Sequence, residues 1–142
     1  MIKIQREDFD VGGLHASLKT RGSGCVVTFV GTVRDTSDGR PVSRMSIEVY
    51  EGMARAQLEA IAGEAADKFG VDRVEVVHRY GDLEVGDNIV FIGVSAGHRD
   101  QGFEACRYMI DELKKRVPIW KREYTPDGVV WVEGDRREQG PG

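Results

Sequence analysis

The residues best suited to chemistry in this chain are the cations between His98 and Arg122. That segment holds seven Lys and Arg against four Asp and Glu, and from Leu113 to Arg122 there are five cations and no anion. The whole chain carries −4, so a basic stretch sits on an acidic molecule. The pattern fits a small anionic ligand better than a long polyanion. It also fits a solvated helix end whose cations complement the dipole. At roughly 3.6 residues per turn, Phe103, Cys106, Ile110, Leu113 and Val117 form one apolar stripe. Lys114 falls beside the stripe and Lys115 turns away. Lys114 is then either a snorkelling lysine or an amine at a partly desolvated edge. In the second case burial and nearby cations lower its pKa and make it a proton donor or nucleophile. Lys121 follows Pro118-Ile119-Trp120, and the proline sets an exit that allows Lys121 to turn back towards Lys114.

Other candidates are weaker alone. His98-Arg99 precedes the same helix, where backbone N–H groups and an arginine fork suit phosphate. Arg34 closes the run Phe29-Val30-Gly31-Thr32-Val33-Arg34, at a strand end where loops collect ligands; the plain alternative is an ion pair with Asp35. Cys25 and Cys106 are not in a C-x-x-C pair, and His15, His78 and His98 complete no zinc spacing. The cysteines read as core fillers, and neither a disulfide scaffold nor a metal site is expected. Trp120 and Trp131 read as core or dimer aromatics.

The elements that must position these groups follow from periodicity. Strands are expected at 2–5, from Cys25 to Val33, over Met45-Ile47-Val49, and from Val74 to His78. Further strands are expected from Ile89 to Ser95, Ile119 to Tyr124 and Val129 to Glu133. Helices are expected weakly at 10–20, clearly at 53–69 with Gly70 as the stop, and at 101–116 before Pro118. Thr36 to Pro41 and Gly81 to Asp87 read as turns. Glycines 31 and 93 lie inside strands, where they mark a bulge or a close approach. Strands pair between helices, so the fold class is α+β with a largely antiparallel sheet and three main helices. The 142 residues fit one domain over 1–133, with 134–142 a polar, frayed tail. The net charge argues against a general nucleic-acid binder. No apolar run is long enough to span a membrane. The first residues lack the apolar core of a signal peptide, so a cytoplasmic chain is expected.

In order, these pieces resemble the catalytic (large) subunit family of molybdopterin synthase, MoaE. The resemblance rests on Phe29-x-Gly31-x-Val33-Arg34, Tyr50-x-Gly52-Met53 and His78-Arg79-x-Gly81-x-Leu83-x-x-Gly86. It continues through His98-Arg99-x-x-x-Phe103-x-Ala105 and Asp111-x-Leu113-Lys114-x-x-x-Pro118-x-Trp120-Lys121-x-Glu123. Thr125-Pro126-x-Gly128 and Trp131-Val132-Glu133 close it.

The resemblance implies a MoaE-like α/β hammerhead fold and a homodimer. It implies a heterotetramer with a small ubiquitin-like, MoaD-like sulfur carrier, whose Gly-Gly C-terminus bears a thiocarboxylate. Two sulfurs would pass to cyclic pyranopterin monophosphate, giving the molybdopterin dithiolene, with no cofactor and no metal at this step. By matched position Lys114 and Lys121 are the catalytic candidates, and a transient adduct on Lys114 stays open beside an electrostatic role. Thr32, Val33, Arg34, His98, Arg99, Arg122 and Glu123 are the candidate substrate-binding residues. The alternative is a non-catalytic dimer that docks a ubiquitin-like tail; a phosphate-ester hydrolase built on His98-Arg99 lacks a nucleophile motif.

Overall fold

The structure, a computed structural model, describes residues 1–133 and 136–139. Central to it is β8 (Asn88–Ala96), which is buried from Ile89 to Ala96. A strand buried on both faces reads as a continuous apolar run, and Ile89-Val90-Phe91-Ile92-Gly93-Val94 is one. It pairs antiparallel with β2 (Cys25–Thr32) on one side and β6 (Arg73–Arg79) on the other. β1 (Ile2–Gln5) adds parallel to β6, giving a four-stranded sheet in the order β1-β6-β8-β2.

Helices cover both faces. α1 (Val11–Leu18) places Leu18 on Val77 and Phe91. α2 (Glu51–Phe69) and α3 (Arg99–Arg116) cover the other face, where Leu58, Ile61, Met109 and Leu113 join Val76, Ile92 and Val94 in the main core. α2 stops at Gly70, whose φ of 64° and ψ of 40° are left-handed. Gly102 lets α3 approach β2: a Cβ there would stand 2.9 Å from Val27 Cγ2 and 3.0 Å from Cys25 Sγ.

Five further strands form a second sheet rather than extending the first. β5 (Arg44–Val49), β7 (Gly81–Glu84), β9 (Ile119–Thr125), β10 (Gly128–Glu133) and β11 (Arg136–Gln139) run in the order β11-β10-β9-β5-β7. These pairings are all antiparallel, so the α+β, largely antiparallel expectation holds, divided between two sheets.

Three local expectations change. Residues 81–84, read as a turn, form edge strand β7 because Leu83 is 1% exposed and packs inward. The 36–41 turn is a small hairpin, β3 (Thr36–Ser37) against β4 (Arg40–Pro41), closed by Asp38 at φ 51° and Gly39 at φ 77°. Residues 136–139, expected to fray, pair with β10; the rest of the expected tail (134, 135 and 140–142) lies outside the described residues. Among the described residues no helix is long and apolar enough to cross a membrane.

Candidate functional site

A cavity of about 450 Å³ opens where the two sheets meet beneath the C-terminal half of α3. Each wall follows from local pattern. In β9 the alternate residues Ile119, Lys121 and Glu123 share one face, and their partners on β5 and β10 are the buried Ile47, Met45, Val132 and Val130. Lys121 and Glu123 therefore point inward from an otherwise apolar face. Arg122 has the opposite parity. It pairs with Glu48 at 3.0 Å, reaches Ser46 Oγ at 3.3 Å and lies over the Trp131 ring. Arg122, expected in the substrate site, is thus held on the outer face.

The end of β2 supplies Gly31 and Thr32, followed by Arg34. The ladder register slips between Gly31 and Thr32, so the strand glycine does mark a bulge. Val33, a candidate binder, is instead a core residue at 3% exposure, with its N–H on the Asp87 carbonyl at 3.0 Å. α3 contributes Ile110, Leu113 and Lys114. Its buried stripe is Gly102, Ala105, Cys106, Met109 and Leu113, turned away from the expected one because Met109 and two small residues meet the sheet. Phe103 is consequently 62% exposed, and Lys114 stands at the cavity rim with its side chain exposed. Burial raises the Cys106 thiol to about 11, which fits the expected core role.

Arg34, Lys114 and Lys121 therefore converge on one cavity, with Glu123 as a fourth charged wall. Glu123 is 4% exposed and accepts a 2.7 Å hydrogen bond from Ser37 Oγ. That bond ties the 36–41 hairpin, which follows Arg34, to the cavity wall. Ser37 has no chemical signature in sequence; its partner lies 86 positions away. His78 is the second residue that sequence reasoning left without a role. It lines the cavity at 1% exposure, and burial and the Lys121 charge push its pKa down to about 3.

His98 and Arg99 do not join this group. His98 is the N-cap of α3 and Lys114 lies near its other end. At 1.5 Å per residue the separation along the axis is roughly 24 Å. Both His98 and Arg99 are exposed. Among the described residues no cluster of three or more His, Cys, Asp or Glu is placed to hold a metal ion.

The arrangement suits anions. A cavity with three cations lowers the repulsion between two anionic groups brought together, and its ammonium groups can stabilise developing negative charge or give up protons. The family described as MoaE protein matches residues 4–116. A molybdopterin synthase catalytic subunit from Pyrococcus abyssi is 45% identical over 130 residues, covering 92% of this chain and 88% of that protein. One of the same description from Escherichia coli K12 is 42% identical over 139 residues, covering 97% and 93%. The crystal structure of molybdopterin synthase from Staphylococcus aureus superposes with a TM-score of 0.86 at 33% identity, covering 92% of this chain and 95% of that one. A complex of subunits 1 and 2 of molybdopterin-converting factor from Helicobacter pylori shares the fold, with a TM-score of 0.76 at 22% identity, covering 97% and 92%.

Proposed function

This chain belongs to the MoaE family, and on that footing we propose that it is the sulfur-transferring half of a molybdopterin synthase. The reaction moves two sulfurs onto cyclic pyranopterin monophosphate, one from the C-terminal thiocarboxylate of each of two molecules of a small ubiquitin-like carrier, which are left as carboxylates, forming the dithiolene of molybdopterin. The observation that carries the reading is the convergence of Lys114, Lys121 and Arg34 on one cavity. The thiocarboxylate and the substrate phosphate are both anions. Neither approaches the other in water at low cost, and a cationic, partly desolvated pocket removes that barrier.

In this reading Lys114, at the rim, meets the incoming carrier tail. Lys121, deeper in the cavity, holds or protonates the oxygen that leaves as sulfur enters. Arg34 and Thr32 hold the phosphate from the end of β2, and Glu123 fixes the hairpin that follows Arg34. The reaction assigned here uses no resident cofactor or metal; the pterin is a substrate. The working compartment is the cytoplasm.

His98 and Arg99 enter through assembly. At roughly 24 Å along α3 from Lys114, they serve the same ligand only if a second copy brings them to the cavity. A homodimer with two-fold symmetry does this twice, once per site. Each large subunit then takes one carrier, giving a heterotetramer.

The direct test mixes purified protein with thiocarboxylated carrier and cyclic pyranopterin monophosphate and assays molybdopterin. Product from the wild type, with large losses in Lys114→Ala and Lys121→Ala, is expected. A stable carrier complex that yields no product would reject the catalytic reading.

A further inference from the structure

His78 is a cavity group that the proposed sulfur transfer leaves without a task. On β6 it stands opposite Val90 of β8, and Val90 stands opposite Gly31 of β2. Directly opposed residues share a face of the sheet, so His78, Val90 and Gly31 form one row along the cavity wall. Nδ1 of His78 lies 2.7 Å from the Arg79 carbonyl oxygen. A carbonyl only accepts, so Nδ1 carries the proton and Nε2 keeps a lone pair. Nε2 is buried and has no hydrogen-bond partner among the described residues. Buried polar atoms nearly always have one. Burial, reinforced by the Lys121 charge, lowers the pKa to about 3, so the ring stays neutral and the lone pair persists at working pH.

We propose that His78 is a ligand-binding residue of this cavity, whose Nε2 accepts a hydrogen bond from an N–H donor on the edge of a fused heterocyclic ligand. The inference rests on the pterin reading above and deepens it. The cations select the anionic groups of the ligand, and the imidazole selects the ring. A neutral imidazole suits this task, because the protonated ring has no lone pair at Nε2, can only donate, and would be drawn to the phosphate instead. Lys121 faces the imidazole closely enough to depress its pKa, and its flexible four-carbon stem can yield as the ring edge seats against His78.

The test measures binding of cyclic pyranopterin monophosphate, and separately of inorganic phosphate, to the wild type, His78→Leu and His78→Gln. Glutamine restores an acceptor oxygen near the reach of Nε2; leucine does not. Affinity for the pterin should fall about tenfold in His78→Leu, the effect of one neutral hydrogen bond, and recover in His78→Gln. Phosphate affinity should be the same in all three. In the wild-type protein the ¹⁵N resonance of Nε2 should shift when the pterin is added and stay unmoved with phosphate. Wild-type pterin affinity in His78→Leu, or parallel loss of both ligands with no rescue by glutamine, would overturn the proposal. Should the leucine variant fail to fold, the resonance decides, and an Nε2 unmoved by bound pterin overturns it. A wild type that binds phosphate but not the pterin rejects the substrate reading itself, and this inference with it.

Discussion

Lys114 and Lys121 reach one cavity from different elements, and their substitution separates chemistry from stability. Lys114 is exposed, so Lys114→Ala should leave stability within about 0.5 kcal/mol. Turnover in Lys114→Ala and in Lys121→Ala should each fall by about 10²–10³, the usual worth of a positioned proton donor or charge stabiliser. Chemical denaturation and the product assay, run on the same samples, check both halves. Ser37 is the opposite case. Its hydroxyl bonds the buried Glu123 carboxylate at 2.7 Å, and Ser37→Ala removes that hydrogen bond to a charged group. A loss of about 1–3 kcal/mol is expected, read by the denaturation midpoint. His78 sets an acid limit. Its folded pKa is about 3, below the ordinary histidine value of 6.5, so the unfolded chain binds more protons between those values. Stability should therefore rise with pH from about 3 to 6.5, and His78→Gln should lose that share of the slope in a pH series of melts. The lysines and Arg34 were legible as residue types in a basic stretch and at a strand end. His78 and Ser37 were not, because a histidine inside a strand and a serine inside a turn carry no local mark of what they will face.

At the scale of elements, glycines and one ion-pair network decide how helices meet sheets. Gly93 lies under Leu18 and Phe91: an added Cβ would stand 2.4 Å from Leu18 Cδ1 and 2.8 Å from Phe91 Cε1. Gly93→Ala should cost about 1–3 kcal/mol by overpacking. Gly63, within α2, has nothing within 4 Å of such a Cβ, so Gly63→Ala should stabilise by about 0.5–1 kcal/mol through helix propensity and lost unfolded-state entropy. Opposite signs for the two variants in thermal melts check the pair. Between α2 and α3, Arg116 grips Glu64 with a fork at 2.6 and 2.9 Å, and Tyr108 donates to the same carboxylate. The Arg116 hydrogen bonds, then that of Tyr108, hold the Glu64 carboxyl down at about 2, from 4.5. Its stabilisation is present above pH 4.5 and lost as pH falls through 2. Glu64→Gln should accordingly be less stable than wild type at neutral pH, and the gap should close on acidification. Element types followed from periodicity and from Gly70 and Pro118. The phase of α3 did not: Met109, Ala105 and Gly102 face the sheet because small residues allow close approach to Val27 and Cys25, and this turns Phe103 outward.

At the scale of the whole molecule, the cavity needs both sheets, and on the proposed function the full binding set needs a second copy. This makes a specific prediction. Lys114→Ala and Arg99→Ala should each be inactive as pure proteins. Mixed and allowed to exchange subunits, they should recover roughly a quarter of wild-type turnover, because half the dimers are mixed and each mixed dimer holds one intact site under two-fold symmetry. No recovery, in a mixture shown by mass to have exchanged, would place both residues in one chain's site or outside it. The sequence by itself determined the α+β class, most strands and helices, the basic stretch and the likeness to MoaE, because these depend on residue type, order and local period. Only the tertiary structure decided which of those residues meet. Parity in β9 sends Lys121 and Glu123 inward and Arg122 outward; the length of α3 separates His98 and Arg99 from Lys114; burial makes Val33 core and His78 a neutral acceptor. Such outcomes depend on which faces of distant strands come together, and no local window of sequence contains that information.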